Sequence, residues 1–265
     1  MQVEPMKKTK APSLTFVLIG SGNVATQMGL ELIQHKQQVI QVYSRIPAHA
    51  DKLASVLGSS HTSSIKEIRK DADVYIVAVK DDSISQLAKT LRLIDKPVFH
   101  TSGSVSMNAL KPISSRYGVI YPLQSLSRNS KPNWNEIPVC IEANSKQGLV
   151  LLYQIGKSMG WQMTELNSKK RSQLHLAAVF ASNFSNHMYV LAIDLLKKYK
   201  LPVDLLNALI LETARKAVQS GPHKAQTGPA VRKDKKTLWK HIDLLSSDKK
   251  YLSLYKSISQ SIQKK

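Results

Sequence analysis

The chain has 265 residues, 42% apolar and 21% charged, which excludes a disordered chain and leaves room for one large domain or two ordinary ones. Its single cysteine, Cys140, excludes an intramolecular disulfide and a cysteine-based zinc site and agrees with a reducing, cytoplasmic setting. The net charge of +20 is uneven, with +7 on residues 1–165 and +13 on residues 166–265, but no zinc finger, ribonucleoprotein-type aromatic motif or compact basic helix accompanies it. The spread lysines therefore read as solvated faces and as attraction for an anionic ligand, and argue against nucleic acid as a partner.

Residues 1–12 read as a mobile tail. Lys7, Lys8 and Lys10 ahead of Leu14 to Ile19 imitate a signal peptide, but the apolar stretch is shorter than the usual h-region of about 7–15 residues. No uninterrupted apolar run approaches the roughly 18 residues of a membrane helix, so no membrane partner is expected. Leu14 to Ile19 reads as a buried strand. Asn23 to His35 reads as a helix with Val24, Met28, Leu32 and Ile33 on one side, and Gln38 to Tyr43 as a second strand. Pro47 to Leu57 is a helix with Leu53, Val56 and Leu57 inward. Val74 to Val79 is a strand, Ile84 to Leu93 a helix, Pro97 to His100 a strand, and Gly118 to Tyr121 and Val139 to Ile141 are further strands. Ser125 to Pro138 is polar and reads as a loop over the sheet. Strands alternating with helices imply an α/β fold with a doubly wound parallel sheet.

The pattern changes near Leu166. Ser168 to Tyr199 lacks Pro and Gly and keeps a helical rhythm through Leu174, Ala178, Ala181, Met188, Leu191 and Leu195, the mark of a long helix buried on more than one side. Helices over Val203 to Gln219, Leu238 to Leu245 and Lys249 to Ile262 complete an all-α C-terminal domain. The expected division is a dinucleotide-binding domain at 13–166 and a helical substrate and dimerisation domain at 167–265.

Gly20-Ser21-Gly22-Asn23-Val24-Ala25 is a G-x-G-x-x-A turn between the first strand and the first helix. Gly20 permits the tight turn, Gly22 lets a pyrophosphate approach the backbone, and Ala25 lets helix and strand pack closely. The free N–H groups of the helix N-terminus then meet the phosphates, so Gly20, Ser21, Gly22, Asn23 and Val24 are expected to bind a dinucleotide. Gly29, one turn on, is expected to allow close helix–sheet packing. After the second strand, Tyr43-Ser44-Arg45 carries no acid for a ribose hydroxyl; Ser44 can donate to a 2′-phosphate and Arg45 can pair with it. The expected cofactor is therefore NADP. Val79, Lys80, His100 and Ser102 follow strand ends, where open α/β sheets bind ligands, and are expected to border the nicotinamide.

These motifs, with Val77 to Asp82, His100-Thr101-Ser102-Gly103 and Tyr121-Pro122-Leu123-Gln124, resemble the Rossmann-like proteins related to pyrroline carboxylate reductase and deazaflavin-dependent NADP reductases. The run from His175 to His187 and Thr227 to Asp234 resemble the domain of unknown function that follows such a Rossmann domain in many bacteria. The resemblance implies an oxidoreductase whose helical C-terminal domains pair as a homodimer.

Catalytic candidates lie on the long helix. His175, Ser182, Asn183 and Asn186 share one face at about 100° per residue. His175 suits a proton donor and Asn183 can hold a substrate oxygen; structural roles in helix packing remain the alternative. His175 and His187 lack an acidic third ligand nearby, so no metal is expected. The leading expectation is an NADPH-dependent reductase of a small carbonyl or imine substrate. The alternative is a non-catalytic NADP-binding sensor or partner-binding protein.

Overall fold

A computed structural model describes residues 13–264. The expected tail at 1–12 lies outside the described residues. The chain order is β1 (Thr15–Ile19), α1 (Asn23–Gln34), β2 (Gln38–Tyr43), α2 (Pro47–Leu57), β3 (Ser60–Thr62), β4 (Val74–Val77), α3 (Asp81–Thr90), β5 (Pro97–His100), β6 (Arg116–Pro122), β7 (Pro138–Ala143), α4 (Lys146–Met159) and β8 (Gln162–Glu165). The sheet runs β3-β2-β1-β4-β5-β6-β7-β8. All neighbours are parallel except β6 and β7, which pair antiparallel. The doubly wound parallel sheet is as expected, and its one antiparallel pairing follows from α4 crossing over after β7, so that β7 and β8 run against the other six strands.

Both faces of the sheet are covered, as parallel strands require. On β1, Phe16 and Leu18 enter one core layer with Met28, Leu32, Ala54 and Leu57, while Val17 and Ile19 enter the other with Val77, Ile84 and Leu87. The alternation follows from the two-residue period of a strand. On α2, Ala50, Leu53, Ala54 and Leu57 face inward at helical spacing, whereas Val56, expected inward, is exposed because it falls a residue outside that stripe. Gly29 sits where a Cβ would lie 2.6 Å from Leu57 and 3.0 Å from Leu18, so helix, neighbouring helix and sheet all meet there without a side chain between them. Helix α4 and strand β8 are elements that the sequence pattern does not predict.

After β8 a helix runs from Ser168 to Lys198 in three parts: α5 (Ser168–Ala178), a π-helical turn (Val179–Phe184) and α6 (Ser185–Lys198). It is followed by a 3-10 turn (Val203–Leu206), α7 (Asn207–Ser220), α8 (Pro222–Ala225), α9 (Lys235–Leu244) and α10 (Lys249–Gln263). Asp234 and Asp248 cap α9 and α10 by accepting from the amides of Thr237 and Tyr251. The chain divides into two compact units between Ser185 and Asn186. The sequence pattern changes earlier, at Leu166; α5 joins the first unit because it is tied to the sheet. The Arg171 guanidinium is fully buried, paired with Glu142 of β7 and donating to the Val105 carbonyl, and the Ser168 amide and hydroxyl donate to the same carboxylate at 2.8 and 2.7 Å.

The long helix was expected to be buried on more than one side. In the single chain it is mostly exposed, with Leu176, Phe180, Phe184 and Val190 open to solvent. By length and composition alone it could cross a membrane: it has 31 residues, an 18-residue window of mean hydropathy 1.2, and 6% of that window buried. Ser182, Asn183, Ser185, Asn186 and His187 interrupt its apolar run. In the second unit the buried apolar side chains among the described residues are Ala230 and Leu245, while Leu209, Leu211, Val218 and Trp239 lie exposed.

Candidate functional site

The C-terminal ends of β1 and β4 flank the point where strand order reverses, the position at which open α/β sheets bind ligands. There, a cleft of about 1050 Å³ is lined by Gly20, Ser21, Gly22, Asn23 and Val24, by Ser44, Arg45 and His49, by Val79 and Lys80, and by Thr101, Gln124 and Arg128.

The two glycines of the turn do different work. Gly20 has φ +127°, and a Cβ there would lie 2.1 Å from the Ala78 carbonyl oxygen, so it serves the fold. Its amide donates to the Tyr43 carbonyl at 2.8 Å and anchors the turn on β2. Gly22 has φ −79° and ψ −172°, an extended conformation open to any residue, and a Cβ there would meet nothing within 4 Å. It precedes α1 without any side-chain cap, so the first-turn N–H groups face open space. An uncapped helix N-terminus beneath open space fits the pyrophosphate of a dinucleotide. Across the cleft, the Ser21 hydroxyl donates to Ser44 Oγ at 2.9 Å, fixing the side chain beside exposed Arg45.

His100 and Ser102 take other places. His100 is fully buried. Its Nδ1 accepts from the Ser102 amide at 3.1 Å, and its Nε2 lies 3.3 Å from the Ser106 carbonyl, so Nε2 carries the proton. The Ser102 hydroxyl accepts from the amides of Ser104 and Val105. Both residues shape the loop after β5 and do not line the cleft; Thr101, between them, does. Burial, then the nearby Arg171 charge, pushes His100 down to about 4. The unfolded chain protonates first, near 6.5, so stability should fall as the pH drops from 6.5 toward 4, by about 3 kcal/mol for this group. Replacing His100 by Gln should flatten that part of the urea-midpoint against pH curve; an unchanged slope would exclude His100 as its source.

The same loop leads to a second polar pair. His175 Nδ1 lies 3.1 Å from the Tyr121 hydroxyl, the two rings meeting edge to face at the ends of α5 and β6. Both press on Gly103, where a Cβ would sit 2.7 Å from His175 and 2.9 Å from Tyr121. Burial raises the Tyr121 pKa above its ordinary value of 10, so its phenol stays protonated at neutral pH. His175 follows Arg171 by one helical turn, which places it on the anchored face of α5. Asn183 lies in the π-helical turn and is exposed. That turn has more residues per turn than an α-helix and so rotates less per residue, and the single polar face expected from 100° per residue is not kept between His175 and Asn186. Tyr121 was visible in the sequence only as part of a strand-end motif. Gln124 was visible only as the end of that same motif, and His49 and Arg128 carried no local signal, since their neighbours across the cleft are remote in sequence.

A family model described as "NADP oxidoreductase coenzyme F420-dependent" matches residues 15–104, and one described as a domain of unknown function, DUF2520, matches residues 137–262. A "putative NADP oxidoreductase" from Bacteroides fragilis is 38% identical with a TM-score of 0.90, the match covering 96% of this chain and 99% of that one. A 1-pyrroline-5-carboxylate reductase from Streptococcus pyogenes is 13% identical (TM-score 0.63, 96% and 99% covered). An imine reductase from Myxococcus stipitatus, solved with NADP+, is 16% identical (TM-score 0.63, 94% and 93% covered). At those last two identities the likeness shows the fold alone. No curated protein sequence matches the chain. The first part of the chain is thus a doubly wound oxidoreductase domain built for a nicotinamide or related cofactor, and the chain belongs to the family that joins such an NADP oxidoreductase domain to the DUF2520 domain.

Proposed function

We propose that this protein is an NADPH-dependent reductase of a small carbonyl or imine compound. The observation that carries this reading is one cleft in which an uncapped glycine turn faces Ser44 and Arg45; the half-buried Tyr121–His175 pair stands beside Gly103, outside the residues that line that cleft. NADPH, when bound, supplies hydride. Gly22 and the first turn of α1 hold the phosphates, and Ser44 and Arg45 hold the 2′-phosphate. Val79 and Lys80 border the cleft beyond the glycine turn. Tyr121 holds a proton at its phenol oxygen and passes it to the substrate oxygen or nitrogen, with His175 restoring it through their hydrogen bond. Asn183 is assigned to orienting the substrate oxygen. The setting of this reading is the cytoplasm.

Titration with NADPH and NADH, followed by carbonyl and imine substrates at 340 nm, tests the reading. Binding of neither cofactor overturns it; NADPH binding without turnover leaves the non-catalytic alternative. Arg45→Ala should weaken NADPH binding by roughly 1.5–3 kcal/mol and barely change NADH binding, because a charge-assisted contact to the 2′-phosphate is lost. Equal loss for both would show that Arg45 does not read that phosphate.

The same reading includes a homodimer through the helical part. Its support is the second unit's near-lack of buried apolar side chains beside exposed Leu209, Leu211 and Trp239. A second copy is the simplest cover, since twofold dimers are the commonest soluble assembly. Sedimentation at micromolar concentration should give twice the chain mass of 29.5 kDa; one species at the chain mass rejects the dimer.

A further inference from the structure

The segment after β6 crosses back over the cleft. Leu126 plugs into the core layer beneath it. Gln27 of α1, 2% exposed, then grips the strap: the two N–H groups of its side-chain amide donate to the carbonyls of Ser127 (2.6 Å) and Ser130 (2.9 Å), with the Arg128 carbonyl sharing one of them at 3.2 Å. Ser130 closes the same turn by donating to the Ser127 carbonyl at 2.8 Å. So held, Arg128 reaches across the cleft and donates from Nη2 to the Ser21 carbonyl at 2.7 Å. That carbonyl belongs to the glycine turn, one residue from the open space above Gly22.

We propose that Arg128 is the cofactor's pyrophosphate counter-charge, and that Gln27 is the positioning residue that holds it there. The inference rests on the cofactor reading of the cleft. An exposed guanidinium bonded to one backbone carbonyl adds little to stability, so the elaborate grip on its loop points to a ligand. A guanidinium has five N–H donors, so Arg128 keeps its bond to Ser21 and still faces a phosphate lying on the first turn of α1. The pyrophosphate is thereby held from both sides, by backbone N–H groups beneath and by Arg128 above. Arg45 reads only the phosphate that distinguishes NADPH from NADH, whereas Arg128 serves both cofactors alike.

The test is direct binding of NADPH, NADH and adenosine 2′-monophosphate to the full chain and to Arg128→Gln. Wild-type protein is measured first: if it binds neither dinucleotide, the cofactor reading fails before this one is reached. Arg128→Gln should raise Kd for NADPH and NADH by the same factor, roughly 10- to 100-fold, and leave adenosine 2′-monophosphate unchanged. Unchanged dinucleotide affinity, or loss confined to NADPH, overturns the assignment. Gln27→Leu should weaken dinucleotide binding in the wild-type background and add nothing in the Arg128→Gln background. A full additive loss there would show that Gln27 acts on the fold and not through Arg128.

Discussion

Gly22→Val should abolish dinucleotide binding while the protein stays folded. Two charge-assisted bonds from the first turn of α1 would be blocked, and at about 1.5–3 kcal/mol each their loss exceeds a 100-fold change in Kd. The fold should tolerate the change, because the backbone at Gly22 is extended and a Cβ there meets nothing within 4 Å. The cost is that of a poorer residue ahead of a helix, about 1 kcal/mol. Gly20→Ala is the contrast. Its Cβ would enter the Ala78 carbonyl at a φ that side-chain-bearing residues rarely adopt, so it should lower the melting temperature sharply. Calorimetry and NADPH titration on both variants separate the glycine that serves the ligand from the one that serves the turn. Wild-type affinity in Gly22→Val would remove the central claim.

The second large effect concerns Arg171. Arg171→Ala should cost about 3–5 kcal/mol in urea unfolding, because it strands a Glu142 carboxylate that is nearly enclosed. Ser168 still donates to that carboxylate twice, but neither donor carries charge. Replacing the pair together, Arg171→Met with Glu142→Leu, should recover much of the loss, since a buried pair and a well-packed apolar pair differ little in stability. The double variant should nonetheless lose activity if α5 shifts, because His175 sits one turn along the same face. A cost below about 1 kcal/mol for Arg171→Ala would mean that water reaches the pair in solution.

The elements of the first half were legible because each carries its own local signal. Strand β1 alternates between two buried layers, α1 opens on a glycine turn, and α2 begins with Pro47 and ends before Gly58 in the left-handed conformation. The cofactor turn could be read for the same reason: the residues that shape it are consecutive. Helix α4 was lost beside an unrecognised strand pairing, since Gly148 and Gly156 argue against a helix unless one knows what packs on them. A Cβ at Gly156 would strike Met163 of β8, a neighbour that only the folded sheet supplies.

The sequence by itself determined the doubly wound domain, the glycine turn and the absence of an acid after β2, because these depend on residue type at short spacing. The tertiary structure alone decided which polar groups meet. His100 looked like a cleft residue until its burial and its two backbone partners turned it into a loop clamp. His175 acquired Tyr121 across 54 residues, and Arg128 acquired Ser21 across 107. No local pattern records such pairs. They arise when the crossovers bring strand ends to one edge of the sheet, and the chemistry is set by what converges there.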